Sequence, residues 1–485
     1  MKKRQHGNNL AADFYGRTGR ARGPLRWLVQ LFAGLLAIIT CAVAAAPANP
    51  LNYPTKPAFY QSWAQFGSHY TQAALLRTLT SVSNLHLAEI YSPFVIIVDG
   101  GWAAPNRDSA GRLQFDIAKF PDGTNIVNLI HSYGCKALLW VEYNGPITTP
   151  TTGTPSTFGT NVEYDAETIA GWGFDGAKFD LIDAVTGDGK ISLVTRFINA
   201  FRGVATNRQT YFYHDVNLGM DRGQFDDFPP GAVICENSEN DSGKIVFWTE
   251  SMLTHLFNAN SRNHWSCGRE VYEFWWYGPS FFKVWSMLGS PYVFTALTDA
   301  HHYPSYNYLY NRRECIALNN DPLYAAPELL FHTSTNLALL RKRADGTVTA
   351  LAFNTTENAT QTITLSFSQL GLPAAAAANV RDIFSETNCG TFSQSYICTL
   401  GPMESALLTF DSEARVPILA SSITGENIEL SIQGRPGHTI VLQKSGNLQT
   451  WPAVATNTLS GNPWIYSSVL PSTNDKAFFR AIRHP

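Results

Sequence analysis

Charge is scarce in this sequence. Only 15% of its 485 residues are Asp, Glu, Lys or Arg, and the formal net charge is -3. That balance excludes the basic field a nucleic-acid backbone would need, and a hydrophobic content of 45% excludes a disordered chain. Cysteine is sparse as well, with 7 in all and no pair at C-x-x-C spacing. There is no H-E-x-x-H pair, no G-x-S-x-G elbow, and no glycine-rich phosphate loop behind the first candidate strand. The histidines His214, His255, His264, His301 and His302 therefore lack a metal-binding pattern, and neither a metal nor another cofactor is expected.

Long apolar runs are absent except at the N-terminus. Seven Lys or Arg residues within the first 26 positions precede a mostly apolar run from Trp27 to Val43, and Ala44 to Ala46 supply small residues for cleavage. Residues 1–46 are expected to be an export signal, which would leave a secreted or periplasmic protein with no membrane contact after cleavage. An uncleaved anchor is the alternative; lipid attachment at Cys41 is weaker, because Thr40 is a poor small residue. Removing the signal leaves six cysteines, a count compatible with an oxidising compartment. Cys389 and Cys398 flank a polar, hairpin-like stretch, GTFSQSYI, and form the expected disulfide.

Between residues 52 and 325 short apolar runs alternate with longer amphipathic ones. Eight candidate strands stand out: Pro57 to Trp63, Phe94 to Val98, Ala137 to Val141, Gly176 to Phe179, Thr210 to His214, Ala232 to Cys235, His255 to Asn258 and Tyr292 to Thr295. Ile126, Leu129, Ile130 and Tyr133 mark one helix face, and Ile191, Val194, Phe197, Ile198 and Phe201 another. Eight strand–helix units predict an α/β fold, a TIM (β/α)8 barrel. Texture changes near Pro322. Runs such as TVTALAF and QTITLSF predict an antiparallel β-sandwich over 326–412, and ENIELSIQ and HTIVLQKS predict a small β-module over 416–485.

A barrel delivers the C-terminal ends of its strands to one rim. The residues in or beside those ends include Trp63, Asp99, Glu142, Asp180, Asp215, Glu236 and Asp299. Helix capping explains an acid at any one of these positions. It does not explain the set, which points to chemistry driven by carboxylates. The block GWGFDGAKFD, from Gly171, places Lys178 two residues before Asp180. A cation there would keep one carboxylate ionised as a nucleophile, while a second, drier carboxyl donates a proton. The aromatic cluster Phe274, Trp275, Trp276 and Tyr277 is read as packing between helices rather than as a sugar platform.

Several blocks also carry a resemblance. SWAQFG from Ser62, VDGGWAAPNRDSAGRLQFDIAKFPDG from Val98, HSYGCKALLW from His131, GWGFDGAKFD and RRECIALNNDPL from Arg312 resemble, in the same order, those of the α-galactosidase (melibiase) family, glycoside hydrolase family 27. The similarity runs through most of residues 57 to 410. It implies a retaining mechanism with Asp180 as nucleophile and Glu236 as acid/base, and a carbohydrate partner bound by Trp63, Asp99, Trp140, Lys178 and Asp215. The departures fall on specificity. The family's second aspartate after the second strand is Gly100 here, its NDPD block is NHWSCGRE, and its acid/base aspartate becomes a glutamate. Gly100 is expected to open room beside Asp99 and to weaken preference for galactose over related pyranosides. Two functions follow: a secreted retaining glycosidase, or a carbohydrate-binding barrel of the same family that has lost catalysis. Keeping both Lys178 and Asp180 favours the enzyme.

Overall fold

The computed structural model describes residues 56–142, 162–180, 188–217, 232–237, 265–267, 274–289, 291–294, 297, 304–321, 325, 327–412, 418–424, 427–434, 437–460, 464–469 and 477–483. The signal or anchor expected at 1–46 lies outside them. Among the described residues no helix is long and apolar enough to cross a membrane.

Eight parallel strands form the first sheet: β1 (Ala58–Gln61), β2 (Phe94–Val98), β3 (Lys136–Glu142), β4 (Gly176–Asp180), β5 (Tyr211–Asn217), β6 (Ala232–Asn237), β7 (Trp265–Cys267) and β8 (Val293–Phe294). Their order is β7-β6-β5-β4-β3-β2-β1-β8, and β1 pairs with both β2 and β8. The first and last strands are thus neighbours, as barrel closure requires. The strand expected at His255 to Asn258 lies outside the described residues; the strand beside β6 is Trp265–Cys267. Trp63, expected to end the first strand, instead opens the helical turn Trp63–Phe66.

Alternation of side chains sorts the sheet's two faces. On β4 and β5, Phe179 and Phe212 point outward and meet helix α4 (Asp188–Val204), whose Phe197 and Phe201 lie 5.1 and 5.5 Å away, ring centre to ring centre. His214 shares that outward face and stacks on Phe179 at 4.7 Å, ring centre to ring centre. Trp140, Lys178 and Tyr213 stand in one register row on the opposite face, toward the bore. Tyr213 meets Phe59 of β1 across the bore at 5.3 Å. Earlier in the chain, helix α1 (Gln72–Asn84) is capped by the Thr71 hydroxyl and buries Ala74, Leu75, Thr78, Leu79 and Val82, the spacing of one helical face. Helix α2 (Ile126–Ser132) buries Ile126 and Ile130, and the chain turns at Gly134 with φ 77°.

The second part is a sandwich. A six-stranded antiparallel sheet has the order β14-β13-β16-β11-β10-β9 and faces the pair β12-β15. These strands are β9 (Glu328–His332), β10 (Asn336–Lys342), β11 (Val348–Asn354), β12 (Gln361–Ser366), β13 (Ala377–Asp382), β14 (Thr387–Ser393), β15 (Ser395–Leu400) and β16 (Ser405–Asp411). The large sheet is apolar on both faces. Ala338, Leu340, Ala350 and Leu408 fill the sandwich core, while Leu337, Leu339, Leu351 and Leu407 join the barrel's hydrophobic core. This double burial matches β11, whose seven residues are all buried. The final module pairs two three-stranded sheets around Leu430, Ile432, Ile440 and Leu442.

Cys389 and Cys398 are free thiols, so the expected disulfide is absent. The stretch between them is no hairpin. Gln394 turns with φ 68° and sends the chain from β14, paired to β13, across to β15, paired to β12. Cys389 and Cys398 therefore sit in different sheets.

Barrel and sandwich meet along helix α5 (Phe274–Leu288). Lys283 donates to the Ser405 carbonyl, and Ser405 N–H donates to Ser280 Oγ at 3.1 Å. Arg341 of β10 is buried and donates to the carbonyls of Ser286 and Met287 at the helix C-terminus, at 3.3 and 3.5 Å. A cation there meets the negative end of the helix dipole. Burial nonetheless pulls its pKa down to about 10, with Asp321 opposing the fall. Arg341→Ala should lower stability by about 3 kcal/mol, since it empties a buried site and orphans two carbonyls. A urea-unfolding midpoint unchanged from wild type would contradict that account.

Candidate functional site

β2, β3 and β4 end side by side, and their last residues build the site. Lys178 lies in the bore with 2% of its side chain exposed and donates to Asp99 Oδ2 at 2.9 Å. The same ammonium stands 3.8 Å from Asp180 Oδ2. Asp99 is 1% exposed, whereas Asp180 keeps 20% of its side chain open to solvent. Of the two carboxylates flanking the lysine, one is interred and the other can be reached. Burial pushes the Asp99 carboxyl up from the ordinary carboxylate range. The Lys178 charge opposes this, and the Asp180 charge adds to it.

Asp99 is fixed from both sides. Its backbone N–H donates to Ser62 Oγ at 3.1 Å, and its Oδ1 accepts the Gly100 N–H at 2.8 Å. The next residue, Gly101, has φ 89°, and a Cβ there would fall 2.5 Å from the Ser68 carbonyl oxygen, so only glycine fits. Lys119 donates to the carbonyls of Ser68 and Gly101 and ties the loop down.

Gly100 does not leave open space. A Cβ on it would lie 3.2 Å from the Trp63 ring and 3.6 Å from Trp140. Indole carbon from both rings therefore borders the place a Cβ would take beside Asp99. Trp63 is half-buried. Trp140 is 2% exposed and gives its indole N–H to Asp180 Oδ2 at 2.9 Å.

Sequence reasoning missed the supports of this group. Ser62 was visible only as part of a block. Trp102 is buried, and its indole N–H donates to the Trp140 carbonyl at 2.9 Å. Arg107 grips Asp165 of helix α3 (Val162–Gly171) with two bonds of 2.6 and 2.7 Å, so the loop after β2 is clamped to the helix before β4. The signal was the RDSAGRLQ stretch, whose Asp108 also folds the loop through bonds to the N–H groups of Ala110 and Arg112.

Asp215 and Glu236 are described as backbone. The β4–β5 pairing ends at Phe179 with His214, which puts Asp180 beside Asp215; Cys235 pairs with Asp215, and Glu236 with Val216, one place further on. Asp299, Glu270 and the histidines at 255, 264, 301 and 302 lie outside the described residues.

Comparison with known proteins adds to the geometry. Residues 83–206 match the family model described as "Alpha galactosidase A", and residues 338–410 match "Alpha galactosidase C-terminal beta sandwich domain". An α-galactosidase of Cyamopsis tetragonoloba is 24% identical over 353 residues, 69% of this chain and 80% of the relative. In structure the chain is similar to α-galactosidase I of Mortierella vinacea, with TM-score 0.65 and 18% identity over 76% of this chain and 100% of that one. A family 27 β-L-arabinopyranosidase of Geobacillus stearothermophilus shares the fold with TM-score 0.59 and 14% identity, covering 74% of this chain and 96% of that one.

Lys178→Met would leave two carboxylates beside an apolar side chain. We expect a loss of about 3 kcal/mol near neutral pH. The loss should shrink toward pH 4, because a buried Asp99 without its cation binds a proton more tightly folded than unfolded, and stability linked to a raised carboxyl pKa is lost as pH rises. Denaturant titrations at the two pH values test this; equal penalties would mean that charge does not hold Asp99.

Proposed function

We propose that this chain, as a divergent member of the α-galactosidase (melibiase) family, is a secreted retaining glycoside hydrolase acting on α-galactosides or closely related glycosides. One observation carries the mechanism: Asp180 is the accessible carboxylate beside the buried Lys178–Asp99 pair. A nucleophile needs this combination of exposure to substrate and a fixed neighbouring cation. Asp180 attacks the anomeric carbon while the bond from that carbon to the leaving oxygen breaks, and an acid on the other side gives the leaving oxygen its proton. Water, deprotonated by the same group, then releases the sugar and restores the Asp180 carboxylate. Glu236, near the end of β6, is the acid/base that the resemblance implies, although its backbone pairs with Val216, in the alternation of His214 and not in that of Asp180. Asp215 is the substitute, favoured by its register place beside Asp180. Trp63 walls the sugar. Export rests on the N-terminal sequence alone.

The catalytically silent alternative has less support, because a binding pocket gains nothing from an exposed carboxylate set against a buried cation. A panel of nitrophenyl glycosides separates the two readings. Asp180→Asn should cut turnover on the best substrate by several orders of magnitude while the fold survives; retention of more than a few per cent would remove Asp180 from the role. Glu236→Gln should slow substrates with poor leaving groups far more than activated aryl glycosides. Equal losses on both kinds would transfer the role, first to Glu270 or Asp215.

Specificity follows from Gly100. With no carboxylate on residue 100 and indole carbon bordering it, discrimination for one sugar hydroxyl is reduced, and preference for galactose over pyranosides such as arabinopyranosides should be weaker than in members with both aspartates. Strict selectivity for galactosides on the same panel would refute this.

A further inference from the structure

We infer that Trp140 is a positioning residue for the nucleophile rather than a wall of the sugar site; the inference rests on the reading of Asp180 given above. The ring is 2% exposed, so its face offers no platform to a sugar, and its one polar atom is directed at Asp180 Oδ2 at 2.9 Å. Lys178 approaches the same oxygen at 3.8 Å while its short bond, 2.9 Å, goes to Asp99. The lysine therefore supplies charge to Asp180, and the indole supplies direction. The indole N–H bonded to Oδ2, with the ammonium at ion-pair distance, turns the carboxylate so that Oδ1 forms the bond to the anomeric carbon.

The indole is itself held. Its backbone carbonyl accepts the Trp102 N–H at 2.9 Å, and Trp102 packs on Phe115 with ring centres 4.9 Å apart. The Arg107–Asp165 clamp fixes the same loop. The aim of Trp140 is thus set by buried contacts before any substrate arrives, as preorganised catalysis requires.

In the covalent intermediate Oδ1 is bonded to the sugar and Oδ2 becomes an ester carbonyl. When water displaces the sugar the electron pair of the breaking bond returns to Asp180, and the Trp140 N–H meets growing negative charge on the carboxylate. Removing the N–H should therefore slow the second step most.

The test compares Trp140→Phe with a chain carrying 3-benzothienylalanine at 140, which replaces the N–H by sulfur and keeps the ring's shape. Both should lower kcat about ten- to a hundredfold on activated aryl glycosides, with KM unchanged or reduced as the intermediate accumulates. Intact-mass measurement in the steady state should show more glycosyl-enzyme than in wild type. If kcat holds and KM rises, Trp140 is a sugar-binding wall and the inference fails. If Trp140→Phe does not fold, the benzothienyl chain alone decides. Failure of the functional reading looks different: a 2-deoxy-2-fluoroglycosyl fluoride would leave wild-type Asp180 unlabelled, and the nitrophenyl panel would show no turnover.

Discussion

A single ammonium buried at the end of β4 organises this molecule's chemistry. Lys178 cannot stay charged in the bore without partners, since taking a cation out of water costs several kcal/mol. Asp99 on β2 meets that need at close range, and Asp180 on its own strand meets it at longer range. The consequence is a division of labour between two acids of the same kind. One is committed to the interior and balances the charge, while the other is left at the rim with an unbalanced task. Three neighbouring strands must then hold their ends in fixed register, and the surrounding serine, glycines and tryptophans serve that requirement.

The fold was largely readable from the amino-acid order, for a physical reason. A strand buried on both faces gives an unbroken apolar run, and FVIIV announces β2 in this way, while the short GAKFD block marks β4 nearly to the residue. The helices show through their period, as in Phe197 and Phe201. What could not be read was anything set by contacts distant in sequence. Nothing in GTFSQSYI reveals that Gln394 turns the chain into another sheet, so two cysteines at hairpin spacing looked like a bridge. Trp63 belongs to an apolar stretch, yet the chain leaves the sheet just before it.

The site shows the same division. Lys178 and Asp180 were legible because their spacing on one strand is local. Gly100 was legible as a missing carboxylate, but what borders it was not. The two indoles beside it come from the turn after β1 and from β3, and only the folded barrel brings them together. Arg107 and Asp165 are 58 positions apart and equally invisible as a pair until the loop closes on its helix.

The large sheet of the second domain is apolar on both sides, and that makes the word domain misleading here. Leu337, Leu339, Leu351 and Leu407 join the barrel's hydrophobic cluster while their neighbours complete the sandwich. Cutting the chain at the barrel's end would strip a wet surface onto helix α5 and leave an oily strip fit for aggregation. The smallest piece able to exist alone is therefore larger than the piece that carries the reaction, and recombination with other modules is confined to boundaries beyond the sandwich.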